Sequence, residues 1–279
     1  TMGKVALPEL KKYGYTGRLA TGALAAGGTL GILIPPSVIL VVYAMLAEQN
    51  IAKLFVAAFV PGLLAALGYM ICISVYVRLR PQSCGQRDKA PLAERVSALV
   101  AVWPVLTIFV AVVGGIYLGM FTPTEAAAVG AAGTGIVALM SGGLTWRSTG
   151  EAILETAAST GMIFLILIGA KVFNNFLALS GVPMQAAAWV GALGLTPWVI
   201  LTAVLLLYLA FGCVMDSLSM IILTIPILFP ILEGLDFGLP HGEFGLWFGI
   251  VVLIVVEVGL ITPPVGMNLF IINALDKET

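Results

Sequence analysis

The chain has 279 residues, of which 60% are hydrophobic and only 10% charged, with a formal net charge of −1, and its mean hydropathy is +1.10. A soluble domain needs far more charge to cover its surface, so a soluble enzyme is excluded, and the absence of any basic run argues against a nucleic-acid partner. The charges are also segregated: 19–47, 99–120, 126–146 and 172–215 contain none, and each is long enough to cross a bilayer, which takes about 20 apolar residues. No barrel-type alternation is present, so helical spans are the expected way to satisfy the backbone in hydrocarbon.

In chain order, Thr1 to Leu10 has neither an initiator Met nor a signal-peptide pattern, which reads as a chain cut from something longer. The stretch 19–47 is apolar but interrupted by Gly31-Ile-Leu-Ile-Pro35-Pro36, and 51–79 follows with Pro61-Gly62 as an expected kink. A polar, basic stretch spans 78–95. The stretch 96–120 crosses again and ends on Phe121-Thr-Pro-Thr-Glu125, where Pro123 and the acid signal a helix start. The stretch 126–140 returns, Gly142-Gly143 breaks the chain, and 151–179 rises once more. The stretch 182–193 is too short to span and reads as an interfacial or arm helix.

Basic residues orient these spans. Lys4, Lys11, Lys12 and Arg18, then Arg78, Arg80, Arg87, Lys89 and Arg95, then Arg147, and finally Lys277 fall on one face, expected to be cytoplasmic. Lys53 and Lys171 are the exceptions. Glu48, Glu233, Asp236 and Glu243 fall on the opposite face. With that orientation, about 197–232 enters and leaves from one side, turning at Phe211-Gly-Cys-Val-Met-Asp216-Ser217. This describes a re-entrant helical hairpin, which needs its tip buried or lining a cavity; a conventional pair of spanning helices is the alternative.

The motif that carries chemistry occurs twice. Gly31-Ile-Leu-Ile-Pro35-Pro36 is matched by Gly259-Leu-Ile-Thr-Pro263-Pro264 inside a broken helix of about 244–275. By composition, roughly 0.1 matches to such a pattern are expected by chance. Adjacent prolines remove donors and break a helix, and the two broken helices run in opposite directions by the charge argument. Discontinuous helices at matching positions of inverted halves point to a midplane binding site. Carbonyls ending each first half suit a hard cation such as Na⁺, and amides starting each second half near Pro36 and Pro264 suit an anion; two functionless proline kinks are the bland alternative. Asp216 and Glu257 are the carboxylates deepest in apolar sequence, where charge is costly and usually functional. Asp216 is expected to neutralise a cation or cap a half-helix, and Glu257 to be protonated or paired. Cys72, Cys84 and Cys213 lack metal or redox spacing and read as small apolar fillers. His241 sits in a Gly/Pro loop and reads as solvated. No zincin, P-loop or nucleophile-elbow motif supports an intramembrane enzyme.

These stretches resemble the large membrane subunit (DctM-like permease) of tripartite ATP-independent periplasmic (TRAP) transporters. The likeness lies in Ala26 to Ser37, Leu54 to Leu64, Gly114 to Ala126, Met215-Asp-Ser217 with Pro226 and Pro230, and Gly259 to Asn268. It implies an all-α polytopic membrane protein with inverted repeats, a re-entrant hairpin and two discontinuous helices, of the elevator type and similar to the ion-transporter superfamily. On that pattern, residues 1–80 are the later part of the first repeat, 81–98 a cytoplasmic linker and 99–279 the second repeat. The implied function is Na⁺-coupled import of an organic acid, a C4-dicarboxylate, sialic acid or similar carboxylate, across the bacterial inner membrane. The implied partners are a periplasmic substrate-binding protein and a small membrane subunit, with Na⁺ as coupling ion and no other cofactor. A channel or passive pore is the competing class. Cation ligands would fall on Gly31, Ile34 and Ser37, and on Gly259, Thr262 and Val265 with Gly212; the hairpin tip on Met215, Asp216 and Ser217; and substrate contacts on Pro36, Ser37, Pro264 and Asn268. The departure is at the start. Thr1 to Glu9 resembles the second arm of the family's first hairpin, whose first arm is absent, so this chain as written is not expected to complete the first cation site.

Overall fold

In the computed structural model, residues 2–84, 91–192, 194–240 and 242–275 are described; the readings placed on Arg87, Lys89, His241 and Lys277 lie outside them. Every helix among the described residues is α-helical apart from one 3-10 turn at Pro81–Ser83, and none of these residues is in a strand. The chain divides into two compact units, Thr1–Gln86 with Ala170–Thr279, and Arg87–Gly169.

The first unit opens with α1 (Met2–Lys12), α2 (Gly17–Leu33), α3 (Val38–Leu46) and α4 (Ile51–Leu79). Together α2 and α3 are apolar and long enough for one span, with a bend of 45° at the break. Ser37 starts α3 by accepting a hydrogen bond from the Leu40 amide at 3.4 Å, and Asn50 starts α4 by accepting from the Lys53 amide at 3.0 Å. Such caps satisfy first-turn donors that have no partner inside the helix. Between them Glu48 holds a left-handed φ of 52°, an uncommon setting for a residue with a side chain.

The second unit holds α5 (Leu92–Ala101), α6 (Trp103–Tyr117), α7 (Pro123–Met140) and the start of α8 (Trp146–Ser180). Two expectations change here. The stretch 96–120, read as one span, is interrupted at Val102, whose ψ of 2° departs from helix. Pro104 supplies the reason, since proline has no amide for the Val100 carbonyl one turn earlier and is at home only in the first turn of a helix, so a new helix starts at Trp103. The stretch 81–98, read as a linker, is helical from Leu92 onward. The predicted helix start at Thr122 is present as a reciprocal capping box. The Glu125 amide donates to Thr122 Oγ1 at 3.3 Å, and the Thr122 amide donates to Glu125 Oε2 at 2.8 Å.

After α8 the first unit resumes with α9 (Val182–Ala192), α10 (Pro197–Gly212), α11 (Ser217–Glu233), α12 (Phe244–Ile261) and α13 (Met267–Leu275). Among the described residues, four helices are long and apolar enough to cross a membrane, five if the bent α2–α3 pair is one span. Their exposed faces are apolar: on α4, Val60, Leu64, Leu67 and Ile71 are each half exposed or more. In water such a face would be a liability; against lipid it is ordinary.

Among those spans α12 is the most enclosed, with half of its apolar window buried against 0–11% for the other three single helices. It packs on α2, α4, α10 and α11. Glycines let its neighbours approach. Tyr43 of α3 lies against Gly249 and donates its hydroxyl to the Gly245 carbonyl at 2.6 Å. An aromatic cluster closes the open ends of α10 and α11 over the start of α12: Phe237 stacks on Phe244 at 4.9 Å, Phe244 on Phe248 at 5.4 Å, and Trp198 meets Phe237 edge-on at 5.6 Å.

Candidate transport site

The prolines fix the chemistry of each break covalently. An α-helical carbonyl accepts from the amide four residues on, and for Gly31 and Ile32 those residues are Pro35 and Pro36, which have no N–H. For Gly259 and Leu260 they are Pro263 and Pro264. Both Pro-Pro bonds are cis. In the first break the Ile34 amide donates back to Leu30 at 2.9 Å, leaving Gly31 without an i+4 donor. The second break tightens by one residue, with the Thr262 amide on the Gly259 carbonyl at 3.0 Å and the Thr262 hydroxyl on the Val258 carbonyl at 2.5 Å. Each break therefore collects oxygen acceptors and few donors, the ligand type that Na⁺ requires.

The turn between α10 and α11 is held directly against the second break. Gly212, the last residue of α10, meets Gly259 backbone to backbone, and a Cβ on either would lie 2.9 Å from the other's Cα. The single S–H of Cys213 is shared between the Leu209 carbonyl at 3.3 Å and the Pro263 carbonyl at 3.4 Å. Ser217, buried, donates to Glu257 Oε1 at 3.1 Å. Asp216 is exposed and accepts from the Ser219 amide at 3.0 Å, so it caps α11. Met215 is half-buried beside it.

Thus Gly212, Ser217, Gly259 and Thr262 are brought together around the second break. Val265 and Pro264 are exposed within it, and Asn268 lies in the first turn of α13, half-buried. The residues of the first break, Gly31, Ile34, Pro36 and Ser37, form a separate group. Ser37 is buried as the α3 cap, Ile34 is half-buried, and Gly31 and Pro36 are exposed. Among the described residues no hydrogen bond joins residues 31–37 to residues 212–217. Helices α3 and α11 nevertheless pack on one another, as do α2 and α13.

Two contributors, Gly62 and Cys213, are not legible in the sequence as site residues, and one pairing, Ser217 with Glu257, is not legible either. Gly62 of α4 backs the first break, where a Cβ would lie 3.0 Å from Ile34 and 3.6 Å from the Leu33 carbonyl; its pairing with Pro61 reads only as a kink. Cys213 reads as apolar filler, yet its thiol spans the hairpin and the break. Glu257 and Ser217 are each conspicuous, but 40 residues of sequence separate them, and nothing in either stretch announces the pair. Glu257 is 2% exposed, and its Oε2 has no hydrogen-bond partner. A buried acceptor left in that state costs free energy unless a proton or cation meets it. No group of three or more His, Cys, Asp or Glu among the described residues makes a transition-metal site, so the donors on offer are carbonyls, hydroxyls and one carboxylate.

A helical membrane protein with two proline-broken helices, one of them clasped by a helical hairpin, is the class these features define. Residues 1–278 match the family described as "Tripartite ATP-independent periplasmic transporter, DctM component", and the chain belongs to that family, a transporter family and not an enzyme family. It is 38% identical over 276 residues to the C4-dicarboxylate TRAP transporter large permease protein DctM of Pseudomonas aeruginosa, covering 98% of this chain and 62% of the relative. It is 30% identical over 277 residues to the sialic acid TRAP transporter large permease protein SiaM of Vibrio cholerae, covering 98% and 62%. It is 33% identical over 275 residues to the isethionate TRAP transporter permease protein DctMQ of Oleidesulfovibrio alaskensis, covering 98% and 42%. The chain thus spans less than two thirds of the length of these curated relatives.

Proposed function

We propose that the protein is the membrane permease of a Na⁺-coupled importer of organic acids, working with a small membrane subunit and a periplasmic binding protein in the bacterial inner membrane. The observation that carries this reading is the second break: a Leu260 carbonyl deprived of its i+4 donor by Pro264 and a Gly259 carbonyl that keeps only the Thr262 amide, closed over by the α10–α11 turn at Gly212–Gly259. Backbone carbonyls of Gly259 and Val265 with the Thr262 hydroxyl would ligate one Na⁺. Gly31 and Ile34 carbonyls with the Ser37 hydroxyl would ligate a second. The half-helices that start after Pro36 and Pro264 would turn amide donors and their positive dipole ends toward the substrate carboxylate, with Ser37 and Asn268 as side-chain donors. Each cation placed beside an anion lowers the cost of burying both, which couples their movement.

Two observations support a re-entrant hairpin and inverted repeats. The arms α10 and α11 have 16 and 17 residues, about 24 and 26 Å, less than the roughly 30 Å hydrocarbon core. The two breaks share a sequence pattern and a matching proline pair. An elevator-type movement of the broken helices and hairpin as one body is the mechanism in keeping with that arrangement. Relatives named for C4-dicarboxylates, sialic acid and isethionate share one feature of substrate, an anionic oxygen-rich group, and that is the substrate class proposed here.

The test is uptake into proteoliposomes holding the protein with its small subunit, supplied with a binding protein loaded with radiolabelled carboxylate. An inward Na⁺ gradient should drive accumulation above equilibration, and its collapse should abolish the excess. Uptake that only ever equilibrates would favour a passive pore.

A further inference from the structure

The seam between α2 and α4 carries a basic mouth at the end of α2 away from the first break; Arg18 also borders a separate cavity with Val265 beside the second break. Arg18 in the first turn of α2 and Arg80 just beyond α4 border a cavity of about 730 Å³ with Thr16, Tyr76, Gln82 and Ser83. The mouth is held in shape: the Thr16 amide donates to the Ser83 carbonyl at 2.9 Å, and the Arg80 guanidinium lies 5.9 Å from the centre of the Tyr76 ring. Both arginines are exposed, and among the described residues neither forms an ion pair with a carboxylate.

A second groove, of about 280 Å³, shares Arg18 and Tyr76 with that mouth and continues along the helices over Gly22, Ala23, Ala26, Tyr69 and Cys72. Small residues on α2 leave a trough where larger ones would have filled the seam. From Tyr69 to Arg80 the groove follows α4 for about 16 Å at 1.5 Å per residue. That is roughly half of the 30 Å hydrocarbon core, the depth of one leaflet. The basic mouth sits at the end of a membrane span and the apolar trough within it.

We propose that this seam binds an anionic phospholipid, with its phosphate between Arg18 and Arg80 and one acyl chain in the trough between Gly22–Ala26 and Tyr69–Cys72. Guanidinium groups pair with phosphate oxygens in a planar, bidentate fashion, and uncompensated arginines at the membrane surface attract anionic headgroups. A zwitterionic lipid brings the same phosphate but also a cation that the two arginines repel. Free phosphate would fill the mouth and leave the trough to no purpose.

Native mass spectrometry of the purified protein, titrated with phosphatidylglycerol or phosphatidylcholine, tests the site. Phosphatidylglycerol should bind in preference, and Arg18→Gln with Arg80→Gln should weaken it about 30-fold, each surface charge contributing roughly a factor of five. Ala23→Trp, which plugs the trough and leaves the arginines, should also weaken it, whereas Lys12→Gln, a nearby charge outside the mouth, should not. Excess inorganic phosphate should fail to displace the lipid. Equal binding of the two lipids, or unchanged phosphatidylglycerol binding by the arginine variant, would overturn the proposal. So would full displacement by phosphate, which indicates a free-anion site, or an equal loss with Lys12→Gln, which indicates general surface charge. Should the arginine variant melt lower than the parent, Ala23→Trp alone decides.

Discussion

Gly259→Ala is expected to lower Na⁺-driven uptake more than tenfold and to lower the thermal midpoint, although it adds a single methyl group. Its Cβ would lie 2.9 Å from Gly212 Cα, 3.1 Å from the Leu209 carbonyl oxygen and 3.2 Å from the Gly212 carbonyl carbon. All three are backbone atoms, so no side chain can swing aside; α10 and α12 must separate. Overpacking of this kind costs roughly 1–3 kcal/mol, and here the separation opens the contact that holds the hairpin turn over the second break. Gly212→Ala faces the same backbone and should behave alike. Gly31→Ala is the control, because nothing lies within 4 Å of the Cβ it would add and alanine keeps the carbonyl. Thermal midpoints and initial uptake rates of the three variants check the argument; equal tolerance of Gly259→Ala and Gly31→Ala would remove the close contact from the account.

Glu257→Ala carries the second large effect. It removes the acceptor for the buried Ser217 hydroxyl and leaves a cavity between α11 and α12, together costing about 2–4 kcal/mol. Glu257→Gln keeps an oxygen for Ser217 and should retain most of the stability. The pair is separable from its surroundings by a double-mutant cycle with Ser217→Ala, measured by chemical denaturation in detergent. A coupling of about 1 kcal/mol or more is expected for residues in direct hydrogen bond. Strict additivity would mean that the 3.1 Å contact does not hold the hairpin turn to α12.

How far the sequence reaches is visible in these same residues. The breaks were legible because proline has no amide, a covalent fact independent of packing. The first halves end at Leu33 and Ile261, because the last turns keep their hydrogen bonds up to the first proline. The bounds of α10 and α11 follow from apolar length and from Asp216, which caps α11. The interruption at Val102 does not show in hydropathy, because the stretch is uncharged and apolar on both sides of it; Pro104 is its one sequence signal. Long-range partners were not legible at all. Gly212 with Gly259, Cys213 with Pro263 and Ser217 with Glu257 depend on how α10, α11 and α12 pack, and hydropathy carries no information on which face of an all-apolar helix meets which neighbour. Tyr43 against Gly245 and Gly249 is an intermediate case: two glycines one turn apart on α12 mark a close approach, without naming what approaches.

The central claim, that the proline breaks and the hairpin turn hold Na⁺, is tested most directly by the thermal midpoint of the purified protein titrated with NaCl against choline chloride at constant ionic strength. A ligand that binds only the folded state stabilises it by RT ln(1 + [L]/Kd), about 2.7 kcal/mol at a hundredfold excess over Kd. Na⁺ should therefore raise the midpoint saturably, K⁺ should not, and Thr262→Leu should shrink the Na⁺ effect while leaving expression and the choline midpoint unchanged. Identical midpoints in Na⁺, K⁺ and choline, or a Na⁺ effect untouched by Thr262→Leu, would contradict the account.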